Sequence, residues 1–230
     1  MLHRFDLHIH TYFSADAASS PEEVIAAAKA RGLSGIAITD HDSCEAHEYL
    51  LAKGLEREDG EPVDGFLVVP GVEVSTADGH LLCLGTTLPP MHGEPAPAVV
   101  AAIHERGGIA VPAHPYDRWR AGIRQEMLDQ LEIYALEVFN AAVTNRSYNL
   151  QALAYARSRG LSMTASSDAH HASAVAVSTT TFDLETLRLS DLLAALRTGG
   201  VPEGKYLSFR EAMKKHFGNW FRVANRRPDR

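Results

Sequence analysis

Cysteine is scarce in this sequence: Cys44 and Cys83 are its only two among 230 residues, with no CxxC pair. A disulfide framework is therefore not expected. No apolar run approaches the ~18 residues of a membrane span. The first residues, MLHRFDLHIH, carry charge and histidine where a secretory signal needs an apolar stretch. Both absences predict a cytoplasmic protein with no membrane partner. Three nucleotide and nucleophile signatures are also missing. Without GxxxxGK or a GxGxxG after a strand, ATP and NAD use have no support, and there is no GxSxG elbow. Basic residues are outnumbered, giving a net charge of −7. That balance argues against coating nucleic acid, although not against cutting it in a metal-lined cleft.

What is present is an ordinary globular composition, 45% hydrophobic and 22% charged, with 12 histidines. The length suits a single domain over 1–230. Apolar runs at Phe5–Ile9, Ile36–Ile38, Phe66–Val69, Leu81–Leu84, Gly108–Val111, Ile133–Phe139, Leu161–Thr164 and Ala174–Val177 predict strands. Between them, helices are predicted at 21–32, 44–55, 98–106, 146–159 and 184–196, the first announced by Ser20 and Pro21. The alternation predicts one mostly parallel α/β domain. A basic tail follows at about 218–230.

The ionisable residues collect where these strands end. His8 and His10 alternate with period two, so they share a side of the first strand. His41 follows the second strand, Glu73 comes just after Pro70–Gly71, and His114 follows the fifth apolar run. Asp168 and His170 repeat the i,i+2 spacing after Leu161–Thr164, and Asp16 lies in the first loop. The carboxyl ends of parallel strands converge on one face, so residues distant in sequence can share a pocket. Imidazole and carboxylate suit zinc, manganese or iron. A lone histidine after a strand is usually a surface residue; the repetition of the position makes the pattern informative.

These residues sit in DLHIHT (6–11), SAD (14–16), TDHD (39–42), GVEVS (71–75), AHP (113–115), EVFNA (137–141) and SSDAH (166–170). In that order they resemble the polymerase and histidinol phosphatase (PHP) domain family, metal-dependent phosphoesterase branch, over nearly the whole chain. The resemblance implies a distorted (β/α)7 TIM-like barrel and two or three divalent ions, Zn, Mn or Fe. It also implies that His8, His10, Glu73 and Asp168 hold a first ion, that Glu73 and His114 hold a second, and that Asp16, His41 and His170 hold a third. The remaining ligand of the second site is His80 in DGHLLCLG, with His92 as the alternative. Asp40 and Asp42 either orient an imidazole or cap the following helix.

Clustered divalent ions imply hydrolysis by metal-activated hydroxide, with Glu73 central and His41 or His170 assisting the leaving group. Phosphate needs further cationic donors, and Arg118, Arg120 and Arg146 are the candidates, Arg118 first. Solvated loop charge is the bland alternative for each. Trp119 is either a stacking platform or a cover for the mouth. The expected substrate is a small phosphomonoester, with nucleotides and phosphorylated metabolites as the candidates. Exonuclease action on short RNA or DNA, and a module binding metal or a partner without turnover, are the other readings.

Overall fold

The computed structural model describes residues 1–206; the basic tail at 218–230 lies outside the described residues. Strand β1 (Leu2–Ile9) lies between β2 (Gly35–Ile38) and β9 (Ser178–Asp183), parallel to the first and antiparallel to the second. With β3 (Leu67–Val69) and β10 (Val201–Gly204) they make a five-stranded sheet in the order β10-β9-β1-β2-β3. A second sheet, β4-β5-β6, joins Gly71–Thr76, Gly79–Leu84 and Ile109–Pro112 in antiparallel pairs. The third pairs β7 (Ala135–Asn140) with β8 (Ser162–Ser166) in parallel.

This α/β arrangement corrects the expected TIM-like barrel: the sheets are mixed and do not close. Polar side chains occupy places where backbone ladders would have closed the ring. Between β8 and β9, the Thr180 hydroxyl accepts from Ala165 N–H (2.8 Å) and donates to its carbonyl (3.0 Å). Between β6 and β7, the His114 N–H donates to the Glu137 carboxylate at 2.6 Å. Between the first and second sheets, within the described residues, the named strands share no ladder, and an isolated bridge joins His41 to Glu73.

Helices cover the outer faces. Helix α1 (Pro21–Ala30) begins with a complete capping box, Ser20 and Glu23 each accepting from the other's backbone N–H. It packs Val24, Ile25 and Ala28 with Leu50 of α2 (Glu45–Ala52) and with Ile36 and Ile38. Helices α3 (Ala96–Glu105) and α5 (Arg146–Arg159) cover β4–β7. Between them comes the short helix α4 (Gln125–Leu128), and Gly160, with φ of 65°, ends α5 in the left-handed region. Phe5, Leu7, Leu82, Val111 and Phe182 form an inner core closed by Leu192 and Leu196 of α6 (Leu189–Thr198).

Two other expectations change. Ala174–Val177 is not a strand, because Ala176 has a positive φ of 62° and its N–H turns to Asp6. The helix expected from Leu184 starts at Leu189, since Asp191 holds both the N–H and hydroxyl of Thr186 in the preceding loop. No helix of the described residues is long and apolar enough to cross a membrane.

Candidate metal centre

The centre is built around Glu73, a wholly buried carboxylate on β4. Its Oε2 lies 3.1 Å from His8 Nε2 and 3.2 Å from both His10 Nε2 and His41 Nδ1. The other oxygen lies 2.9 Å from His80 Nδ1 and 3.1 Å from His114 Nε2. Five imidazoles from four segments, His8 and His10 sharing the first, therefore meet one side chain. Asp168 closes the far side, its Oδ1 3.5 Å from His10 Nε2 and 3.4 Å from His170 Nδ1. At the rim, Asp16 approaches His170 Nε2 (2.9 Å) and His41 Nε2 (3.7 Å).

Local geometry explains these positions. Period-two alternation along β1 delivers Asp6, His8 and His10 to one face. His114 and Asp168 sit at turns with positive φ, 31° and 52°, each just after a strand. A non-glycine residue pays for such a backbone, so these turns are held by other contacts. Asp40 accepts from the Thr11 N–H and hydroxyl (both 2.6 Å) and from Ser14 (2.7 Å); Ser14 in turn accepts the His41 N–H (2.9 Å). Asp42 accepts the Ser75 N–H at 2.8 Å. Neither aspartate caps α2, whose N-cap Cys44 makes no side-chain capping bond.

Charge accounts for the protonation behaviour of the cluster. Burial opposes a charged His8, but Asp168, Glu73 and Glu137 outweigh it and raise its pKa well above the usual value. His10 is likewise desolvated, yet hydrogen bonds to Asp168 and Glu73 push it up to about 9. For Glu73 burial favours the neutral acid, while the adjacent His8 and His41 rings hold the carboxyl well below its usual range. His114 is lowered, first by burial and then by Arg120.

The donor set fits divalent cations. Four overlapping trios hold ligand atoms mutually within 4.8 Å: His8–His10–Glu73, His8–His114–Asp168, His41–Glu73–His80 and His10–His41–His170. His8 Nε2 and His10 Nε2 are only 3.1 Å apart, and among the described residues buried His114 Nδ1 has no hydrogen-bond partner. A shared cation would satisfy nitrogens that converge this closely.

All nine histidines and carboxylates expected as ligands are thus brought together, with His80 in place of His92. His92 is 74% exposed and pairs with Asp42 at 3.2 Å. The arginines separate. Arg120 reaches inward and bonds to Asp168. Arg118 is exposed and lines a groove of about 490 Å³ with Thr76, Gly79 and Arg124, adjoining His80. Arg146 packs over the Tyr206 ring, 4.3 Å from its centroid. Trp119, 81% exposed, stands on the same loop as Arg118 and Arg120.

Other histidines also find places. His47, expected at a surface or in packing, is buried against Glu56 (2.7 Å) and accepts from Gly71 N–H (2.9 Å). His104 packs against Tyr134, and Cys83 is core. The sequence reading missed Glu137, Asn140 and Asp6. Glu137 lies 3.2 Å from His8 Nδ1, and Asn140 Nδ2 donates to both Glu137 and Asp168 at 3.0 Å. Asp6 accepts from Ser167 and Ala176, bracing the turn that carries Asp168; burial raises its pKa to about 6. The available signal was an acid inside an apolar strand run, in FDLHIH and LEVFN.

A family model described as PHP domain matches residues 6–136, and one described as PHP-associated matches residues 146–201. An uncharacterised protein of Methanocaldococcus jannaschii is 30% identical over 146 residues, spanning 59% of this chain and 81% of that protein. A two-domain protein of Bacteroides vulgatus containing a predicted PHP-like metal-dependent phosphoesterase superposes with a TM-score of 0.70 at 16% identity, covering 95% of this chain and 70% of that one. The lesion-specific endonuclease PfuEndoQ of Pyrococcus furiosus superposes with a TM-score of 0.69 at 17% identity, over 88% of this chain and 58% of that one.

Proposed function

The chain belongs to the PHP domain family and is a metal-dependent phosphoesterase; from that premise we propose that it hydrolyses small phosphomonoesters, nucleotides among them. The observation that carries the reading is the meeting of five imidazoles on Glu73, with Asp168 and Asp16 completing the ring.

His8, His10, Glu73 and Asp168 would hold a first ion, Glu73, His80 and His114 a second, and Asp16, His41 and His170 a third. Bound divalent ions of the Zn, Mn or Fe class supply Lewis acidity toward phosphoryl oxygens and lower the pKa of water. The protein's part is to fix the charge and shape around them. Glu73 joins the first two sites, so its position sets both. Arg120, at the Asp168 edge, offers a planar fork of donors to a phosphate entering there. Arg118 and Arg146 are further candidates for phosphate binding, Arg118 through the groove beside His80. His41 lies on the open side, its side chain 26% exposed. His41 and His170 would assist the leaving group by holding the third ion, which would supply charge stabilisation to the departing oxygen. Trp119, exposed above this loop, offers a ring face to a nucleobase.

We read 1–230 as a single domain, a reading supported by β10, which brings residues 201–204 back beside β9 next to β1. A second reading is exonuclease action on short RNA or DNA; the likeness in fold to a lesion-specific endonuclease supports nucleic acid as the substrate class, not attack at an end.

The test is a substrate panel assayed with Zn²⁺, Mn²⁺ or Fe²⁺: sugar phosphates, nucleoside bisphosphates, histidinol phosphate and short oligonucleotides. Inorganic phosphate from the monoesters is expected. Glu73→Gln should lower the rate by about a hundredfold or more, since charge at the centre of the site is lost. Mononucleotides from oligonucleotides, with no phosphate from any monoester, would select the second reading. No product with any ion would leave only metal or partner binding without turnover.

A further inference from the structure

Glu137 is wholly buried at the centre of the molecule, yet it belongs to none of the four donor trios among the described residues. Its three contacts all run to groups that the proposed centre depends on. Oε1 lies 3.2 Å from His8 Nδ1, while Oε2 accepts the His114 N–H at 2.6 Å and Asn140 Nδ2 at 3.0 Å. The same Asn140 amide donates to Asp168 Oδ2 at 3.0 Å. We propose that Glu137 is a positioning residue: it fixes the tautomer of His8, the positive-φ backbone of His114 and, through Asn140, the carboxylate of Asp168. The proposal rests on reading those three residues as metal ligands.

An ionised carboxylate only accepts, so a neutral His8 facing Glu137 carries its proton on Nδ1. The lone pair is then left on Nε2, the nitrogen that faces Glu73 at 3.1 Å. A metal-binding imidazole held through its other nitrogen in this way gains both orientation and basicity. The orientation of Asn140 is equally determined. Its Oδ1 accepts the Ala142 N–H at 2.9 Å, so the NH₂ group must face the two carboxylates. His114 has φ of 31°, a backbone that needs a firm acceptor for its N–H, and Glu137 supplies it.

This network makes the isosteric change Glu137→Gln informative. The glutamine NH₂ cannot face the His114 N–H and the Asn140 NH₂, because donors would meet donors. It must face His8 Nδ1, and its own oxygen must serve the other two. His8 Nδ1 would then have to accept, moving the ring proton to Nε2 and removing the lone pair from the centre. Volume and most hydrogen bonds survive; the ligand is inverted.

Zn²⁺ affinity, measured by competition with a chromogenic chelator, should fall about 10–100-fold in Glu137→Gln, with fewer ions retained by elemental analysis. Wild-type affinity and stoichiometry in a folded Glu137→Gln protein would overturn the proposal. A second measurement does not depend on the variant folding. Long-range ¹H–¹⁵N correlation spectra of the zinc-loaded wild-type protein should place the His8 proton on Nδ1; a proton on Nε2 would overturn it. His8→Ala separates this proposal from the metal-centre reading. Unchanged zinc content in His8→Ala sinks the ligand assignment itself. Zinc loss in His8→Ala beside an unaffected Glu137→Gln sinks only the role of Glu137.

Discussion

Protons and metal ions should compete for the same nitrogens, and the pKa of His10 sets the scale of that competition. In the metal-free protein burial works against a charged His10, but hydrogen bonds to Asp168 and Glu73 raise it from 6.5 to about 9. At pH 7 the ring therefore carries a proton nearly all the time. An ion that takes His10 must displace that proton, a cost of about two pKa units, or roughly a hundredfold in apparent affinity relative to pH 9. Apparent affinity should rise at least about tenfold per pH unit between pH 7 and pH 9, His10 releasing one proton and the raised His8 adding to the slope. The sign for folding is opposite. A histidine with a raised folded-state pKa stabilises the metal-free protein fully below 6.5, and that contribution is lost as pH rises through about 9. Heating the metal-free and metal-loaded forms across this range should therefore show their Tm values diverging as pH increases. Chelator competition with Mn²⁺ measures the affinity, and calorimetry in buffers of different ionisation enthalpy counts the protons released. Flat affinity from pH 7 to pH 9, with no proton release, would refute the assignment of His10 as a ligand.

His80→Ala should remove an ion and sharply reduce turnover, whereas His92→Ala should change metal content and rate by less than about twofold, because His92 is exposed and touches only Asp42 of the groups described. Equal metal loss in both variants, read by elemental analysis, would reject the choice of His80. Asp16, at 51% exposure, makes the third site the one most open to solvent. Brief chelation should remove that ion first, and Asp16→Asn should lower occupancy by about one ion while the inner ions stay; loss of every ion together would contradict three separable sites.

Much of the cluster was legible because the residues expected as ligands obey strand geometry. His8 and His10 declare themselves by period two, and His41, His114 and Asp168 by following apolar runs. The barrel inference failed for a reason that the same rules cannot see. GVEVST and GHLLCL form an antiparallel hairpin, and among the described residues only the β1–β2–β3 run of the first sheet and the β7–β8 pair are parallel ladders. Strand direction is set by the short Ala77–Asp78 connection and by what covers each face, whereas apolar runs give burial alone. Glu137 and Asn140 were hidden for a related reason. Glu137 lies inside the run read as a strand, Ile133–Phe139, and Asn140 just after it, and a buried acid is assigned a partner only once the fold places His8 and His114 beside it.

Gaps between the sheets and the location of the centre have one physical origin. A continuous backbone ladder satisfies its own polar groups and leaves nothing for side chains to do. Where β6 meets β7 the Glu137 carboxylate takes the His114 N–H instead, and an isolated bridge beside Glu73 joins the first sheet to the second. Carboxylates inserted there cannot stay buried without counter-charge. Glu73, Asp168 and Glu137 are wholly buried and Asp16 stands at their rim; Arg120 answers Asp168 directly. In the metal-free protein the rest of the compensation falls to His8 and His10, whose raised pKa values follow from the nearby carboxylates. Three divalent ions, one for each proposed site, would match these four carboxylates together with buried Asp6 and Asp40, six charges against six, and return the imidazoles to neutral ligands. With Arg120 retained, the loaded centre would then carry a net positive charge, the condition under which a phosphate dianion is drawn into a site otherwise lined with acids. The acidic character of the chain and its affinity for an anionic substrate are therefore compatible only through the ions, and an arginine alone could not reverse the field.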